Sequence, residues 1–196
     1  MIAIVDYGAG NLQSVKKAFD HLGSSVVVTN QPATIAAADK VVFPGVGHFS
    51  SLRILDLNGV RSALLQAASA GKPFLGICVG MQWLFEGSEE CPETAGAGIF
   101  AGKCQHFPTS VKSPHVGWNS ITIRETSRLM KGIPQGSFVY YTHSFHAPVI
   151  EETTASTEYG PQFSGAVERN NIFGVQFHPE KSGDVGLHIL KNFCEL

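Results

Sequence analysis

The sequence predicts an α/β fold: a three-layer arrangement in which an open, mostly parallel sheet carries flanking helices and some added antiparallel strands. Three observations predict it. Short apolar strands alternate with amphipathic helical segments through the first part of the chain, which is the pattern of a parallel sheet. A Gly76-x-Cys78-x-Gly80 segment lies where a buried strand runs into a helix, the form of a nucleophile elbow with cysteine in place of serine. After Glu90 the helical periods thin out, and short β-branched or aromatic runs separated by turn residues replace them.

Residues 1–5 form an apolar strand, followed by the turn Asp6-Tyr7-Gly8-Ala9-Gly10-Asn11. The apolar positions Leu12, Val15, Phe19 and Leu22 then step by three and four, the spacing of one helix face, and Gly23 closes that helix. Residues 25–29 give the next strand, and Val41-Val42-Phe43 the one after a short Ala-rich helical segment. Gly8-Ala9-Gly10 lacks the third glycine of a dinucleotide fingerprint, because Gln13 stands there. The loop's expected task is to bring backbone close to the carboxyl edge of the sheet. The third strand ends in Pro44-Gly45-Val46-Gly47-His48-Phe49 on the same edge, where its glycines let backbone N–H groups turn inward as an oxyanion hole requires. Residues 54–70 read as one long amphipathic helix. Phe74, Leu75 and Ile77 make a strand buried on both faces, and residues 79–85 make the elbow helix. Cys78 sits at the corner, with the free N–H groups of that helix directed at its sulfur, an arrangement that raises nucleophilicity.

Beyond Glu90, residues 120–124, 137–141, 165–169 and 172–176 read as antiparallel strands added to, or folded over, the parallel sheet. Pro114-His115-Val116-Gly117-Trp118-Asn119 and Tyr140-Tyr141-Thr142-His143-Ser144-Phe145-His146 read as loops, the second following a strand end. His143 and His146 have no third ligand at a telling spacing, so no metal is expected. Alternating apolar residues in 173–177 form a strand whose end presents His178, and Pro179 forces an extended or turned step after it. Glu180 can then point the same way as His178. Thiol, imidazole and carboxylate together make a nucleophile, a general base and a group that fixes the ring's tautomer. Residues 183–193 close the chain with an amphipathic helix that covers the sheet.

The 196 residues suit one domain, 1–196, with a proper core. Fourteen Lys and Arg against sixteen Asp and Glu, with no basic run, argue against a nucleic-acid partner. The N-terminus meets Asp6 without a basic segment or a long apolar run, so neither a signal peptide nor a membrane span is expected, and the location is read as cytoplasmic. Four cysteines without a C-x-x-C pair fit a reducing compartment. On residues alone, a peptidase or related hydrolase on the same scaffold stays open beside other uses of the triad, and so does a non-catalytic binding module.

Gly76-Ile77-Cys78-Val79-Gly80-Met81-Gln82, Pro44-Gly45-Val46-Gly47 and Gly174-Val175-Gln176-Phe177-His178-Pro179-Glu180 resemble the three signatures of the class I (triad) glutamine amidotransferases. Within that family, Asp6-Tyr7-Gly8-Ala9-Gly10-Asn11-Leu12, Pro114-His115-Val116-Gly117-Trp118-Asn119 and Tyr140-Tyr141-Thr142-His143-Ser144-Phe145 resemble the glutaminase subunits of imidazole glycerol phosphate synthase. The resemblance spans the whole chain, with Trp83 standing where an aliphatic residue is expected. It implies hydrolysis of L-glutamine by Cys78, His178 and Glu180, without a cofactor, and an oxyanion hole from Gly45, Val46 and Val79. It also implies substrate contacts from Gln82, Thr142, His143 and Ser144. The implied partner is a (β/α)8-barrel cyclase subunit of the HisF type, forming a heterodimer that takes up the ammonia, with Asn11, Trp118 and Asn119 at its surface or along the ammonia route.

Overall fold

Short β-branched runs become the strands of one sheet, and the helices between them return the chain to the same edge. In the computed structural model, which describes residues 1–124 and 126–196, β1 (Ile2–Val5) leads through α1 (Leu12–His21) to β2 (Val26–Thr29). Then α2 (Pro32–Ala37) leads to β3 (Lys40–Gly45). A 3-10 turn over Phe49–Arg53, α3 (Ile54–Leu57) and α4 (Val60–Ser69) precede β4 (Phe74–Cys78) and α5 (Val79–Leu84). The second half contains β5 (Gly87–Ser88), β6 (Lys103–His106), β7 (His115–Ser120), β8 (Thr122–Ile123), β9 (Phe138–His143) and β10 (Phe145–His146). It ends with β11 (Thr153–Glu158), β12 (Gln162–Arg169), β13 (Ile172–Val175), a 3-10 turn at Pro179–Lys181 and α6 (Gly183–Glu195).

The main sheet has eight strands in the order β2-β1-β3-β4-β13-β12-β11-β8. Strands β2, β1, β3, β4 and β13 run parallel, and β12, β11 and β8 continue the sheet antiparallel. Side chains alternate across it. Phe43 and Phe74 meet Trp83 of α5 on one face, with ring centroids 5.3 and 6.3 Å away, and Phe173 meets Phe193 of α6 on the other at 6.2 Å. Phe19 of α1 joins that second face through Phe193. Each of these wholly buried aromatic rings contributes about 1.5–3 kcal/mol relative to exposure, so both faces are covered and the layering follows from the pattern.

Three sequence expectations are corrected here. The helix expected over 54–70 is two helices, because Asn58 ends the first and Gly59, at φ +74°, turns the chain before Val60. The segment 114–119, expected as a loop, is mostly strand: β7 pairs antiparallel with β9, Trp118 opposite Tyr140 and His115 opposite His143. Residues 172–175, grouped with the antiparallel additions, bridge the two halves of the sheet. They pair parallel with β4 on one side, Gly174 opposite Gly76, and antiparallel with β12 on the other.

Candidate active site

Cys78 ends β4 in a backbone conformation that non-glycine residues rarely adopt, φ 55° and ψ −111°, and α5 begins at the next residue. Such a corner costs of order 1–3 kcal/mol and persists because its surroundings enforce it. Those surroundings are backbone packed against backbone. A Cβ on Gly76 would lie 2.6 Å from the Gly80 carbonyl oxygen, and one on Gly80 would overlap the Phe43 carbonyl. Gly45 lies opposite Cys78 in the β3–β4 register, so the end of β3 is carried to the corner. A Cβ on Gly45 would fall 2.7 Å from the Tyr7 hydroxyl and 2.8 Å from Val79 Cβ. The Tyr7 hydroxyl is buried in this seam without a hydrogen-bond partner, and burial, followed by the nearby charge of Cys78, pushes its pKa up.

His178 reaches the same edge from the turn after β13. Its backbone N–H donates to the Tyr140 carbonyl at 2.9 Å, and its own carbonyl accepts from Ser182 Oγ at 2.7 Å. Ser182 Oγ accepts from Tyr140 N–H in turn, so the histidine is fixed to β9 through backbone groups. Nδ1 of His178 lies 2.8 Å from Glu180 Oε1, with both side chains buried. Nε2 makes no hydrogen bond of normal geometry in this arrangement, yet the sulfur is near enough to act on the ring. Burial opposes a charge on His178, but the Cys78 thiolate and the Glu180 carboxylate outweigh it and raise the pKa to about 10. The ring is therefore equipped to hold a proton until a leaving group takes it.

A cavity of about 290 Å³ opens over the sulfur, lined by residues that include Val46, Gly47, Cys78, Val79, Gln82, Glu90, Thr142, His143 and Ser144. Glu90 anchors the turn after the glycine loop by accepting from Phe49 N–H at 2.8 Å. Gln82 directs both amide protons into the protein, to the Phe145 carbonyl at 2.9 Å and to Gln176 Oε1 at 3.1 Å. What it leaves for a ligand is its carbonyl oxygen. His143 has both ring nitrogens engaged, Nδ1 donating to the Phe145 carbonyl at 2.8 Å and Nε2 lying 3.1 Å from His115 Nδ1. Burial pushes His143 down to about 3 and His115 down to about 4, so both rings are neutral.

The residues singled out in the sequence are thus distributed as follows. Cys78, Val46, Val79, Gln82, Thr142, His143 and Ser144 line one cavity, Gly45 backs it, and His178 with Glu180 stands behind the sulfur. Trp118 is 55% exposed on the outer face of β7, whereas the Asn119 amide is turned to Glu158 O and His115. Asn11 caps α1 by accepting from Ser14 N–H at 3.4 Å and is exposed at the carboxyl edge of β1. Sequence reasoning missed Glu90, Gln176, Phe145 and Tyr7. Glu90 had a signal in the paired acids at 89 and 90 just after the elbow helix, and Gln176 in its place within the strand that presents His178. A larger groove of about 670 Å³, lined in part by Leu55, Leu65, Ile99 and Ile172, contains none of these groups.

Comparison with known proteins adds to this geometry. The family profile "Glutamine amidotransferase class-I" matches residues 3–196. The chain is 46% identical over 198 residues to the imidazole glycerol phosphate synthase subunit HisH of Moorella thermoacetica, covering all of this chain and 94% of the relative. It is likewise 46% identical over 200 residues to the HisH subunit of Methanosarcina barkeri, covering all of this chain and 98% of that one. Among solved structures, a chain of PurLQS from Thermotoga maritima superposes with a TM-score of 0.77 at 16% identity, covering 99% of this chain and 97% of the other, a likeness of fold.

Proposed function

The chain belongs to the class-I glutamine amidotransferases, and from that premise we propose that it is the glutaminase subunit of an imidazole glycerol phosphate synthase. In this reading it hydrolyses L-glutamine to glutamate and ammonia and passes the ammonia to a (β/α)8-barrel cyclase subunit in histidine biosynthesis. Residues 1–196 act as one amidotransferase domain, working in the cytoplasm as half of a heterodimer. No described helix is long and apolar enough to cross a membrane.

The Cys78 thiolate attacks the carboxamide carbon, and the carbonyl oxygen takes the electron pair as an oxyanion. Backbone N–H groups of the Gly45-Val46 segment and of Val79 hold that oxyanion, each contributing roughly 3–4 kcal/mol if typical of such donors. His178 gives its proton to the departing nitrogen, and ammonia leaves as the γ-glutamyl thioester forms on Cys78. A water then attacks the thioester, its proton returning to His178, and glutamate is released with the thiolate restored. Glu180 keeps the imidazole oriented with its charge balanced throughout. Glu90 and the free Gln82 carbonyl are acceptors suited to the α-ammonium of an amino acid. The single observation that carries the reading is the buried His178–Glu180 pair beside Cys78, whose side of the site opens on one small cavity. At about 290 Å³, that cavity suits a free amino acid better than an extended peptide, which favours the glutaminase over the peptidase.

The cyclase surface is assigned to β7 and β9. Val116, Trp118 and Phe138 are exposed on this ribbon, and Trp118 packs edge-on to Tyr140 at 6.1 Å. Thr142, also on β9, lines the cavity, so the ribbon ends where ammonia forms. Free ammonia becomes ammonium in neutral water, and a docked partner keeps the route dry. The test is glutamate and ammonia release by the purified chain mixed with the cyclase subunit and its ligand. Release should far exceed that of either protein alone and vanish in Cys78→Ala. No release above the blank, or release that survives Cys78→Ala, would overturn the reading.

A further inference from the structure

We propose that Gln176 is a further catalytic residue, its side-chain amide holding a donor on the Cys78 sulfur in an orientation set by Gln82, whose own amide is fixed by the Phe145 carbonyl. The assignment rests on reading Cys78 as the nucleophile. Gln176 is wholly buried, and its Nε2 lies 3.6 Å from Cys78 Sγ. Its Oε1 accepts from Gln82 Nε2 at 3.1 Å. Turning the amide over would set two amide nitrogens face to face and an oxygen lone pair against the sulfur. The donor is therefore held where negative charge develops when the thiol becomes a nucleophile, and hydrogen bonds to charged groups are the stronger ones.

A second arm of polar groups, from Asn119 through His115 and His143, reaches the same Phe145 carbonyl with a fixed orientation of its own. At the outer end the Asn119 amide is pinned, because its Oδ1 accepts from Ser120 N–H at 2.8 Å and its Nδ2 donates to the Glu158 carbonyl at 3.0 Å. Nδ2 also lies 3.4 Å from His115 Nε2, which must accept, so the His115 proton is on Nδ1. At the inner end the Phe145 carbonyl can only accept, so His143 carries its proton on Nδ1 and leaves Nε2 as acceptor for His115 Nδ1. The two assignments agree. The same carbonyl takes a proton of Gln82 Nε2, whose other proton goes to Gln176. His115 is held between Tyr141 and Tyr159, with ring centroids 4.8 and 3.9 Å away, which keeps both ring nitrogens in line. The Phe145 carbonyl accepts from Gln82 whichever way the histidine arm is oriented, so His115 and His143 do not set the direction of the Gln176 amide.

The test is alkylation of Cys78 by iodoacetamide at neutral pH, followed by peptide mass mapping, in the full chain without glutamine or partner. Gln176→Met keeps the length and removes the donor, and should slow alkylation about tenfold, the effect of losing one hydrogen bond to a charged group. A wild-type rate in folded Gln176→Met overturns the assignment. Should that variant fail to fold, Gln82→Met removes the donor that fixes the Gln176 amide, and a wild-type alkylation rate there overturns it equally. Because none of these measurements involves glutamine hydrolysis, their failure leaves the glutaminase reading standing, and failure of the Cys78→Ala test leaves the hydrogen-bond result readable.

Discussion

Replacing Gly76 with alanine tests how the fold sets the position of the sulfur. The new Cβ would stand 2.6 Å from the Gly80 carbonyl oxygen, 2.7 Å from its carbon and 2.8 Å from Met81 N, all backbone of α5 and unable to rotate away. Ordinary contact begins at 3.4 Å, so the helix must back off by about 0.8 Å, a displacement that overpacked sites resist at a cost of about 1–3 kcal/mol. Val79 N–H and the Cys78 corner move with it. A displacement near 1 Å costs of order a hundredfold in rate where geometry is set for attack. Gly23→Ala is the control: its Cβ would meet nothing, but its φ of +74° penalises alanine by about 1–2 kcal/mol. Urea unfolding and ammonia release with the cyclase present give both numbers. The two variants should lose similar stability, while Gly76→Ala alone loses about a hundredfold in activity. Equal activity in the two variants, or a Gly76→Ala enzyme within threefold of wild type, would refute the reasoning.

Four further outcomes follow from the same geometry. Trp118→Ala should leave the fold intact and weaken cyclase binding by roughly thirtyfold or more, as loss of an interface tryptophan typically does, and an unchanged calorimetric Kd would remove β7 from the interface. His143 binds protons in the unfolded chain near 6.5 but in the fold only near 3, so its contribution to stability is full above pH 6.5 and declines as pH falls toward 3. Its share of the slope approaches about 1.4 kcal/mol per pH unit below pH 6.5, readable by urea unfolding down to pH 5, and His143→Asn should remove that share while His115, held down to about 4, keeps its own. His178 works in the opposite sense: its pKa is raised to about 10, so the stability it adds is full below pH 6.5 and lost as pH climbs through 10. Glu180→Gln removes a charge-assisted bond at 2.8 Å and should slow ammonia release roughly ten- to hundredfold, where an unchanged rate would make Glu180 a bystander.

What the sequence reveals is what local chemistry dictates. The elbow could be read because Gly76 and Gly80 are needed within a few residues of Cys78, and β4 and α5 follow from the apolar runs on either side. The histidine turn could be read because Pro179 stops any helix and leaves Glu180 two residues from His178. The strand β7 could not, since Pro114, Gly117 and Asn119 have turn composition and only the distant pairing with β9 makes the segment extended. The break at Asn58-Gly59 was present in the sequence, but the apolar spacing on either side of it continues as though the helix did. Glu90 and Gln176 have no motif of their own. Their roles arise from the cavity wall and from a sulfur far away in the chain, which only the assembled sheet brings within 3.6 Å of Gln176.

The most direct measurement is the mass of the peptide containing Cys78 after the chain, turning over glutamine with the cyclase, is quenched in acid. A gain of one glutamyl group on that cysteine, absent in Cys78→Ala and discharged by further incubation before the quench, is the predicted result. Undiminished turnover with an unmodified Cys78 peptide at every quench time, together with an active Cys78→Ala variant, would contradict it.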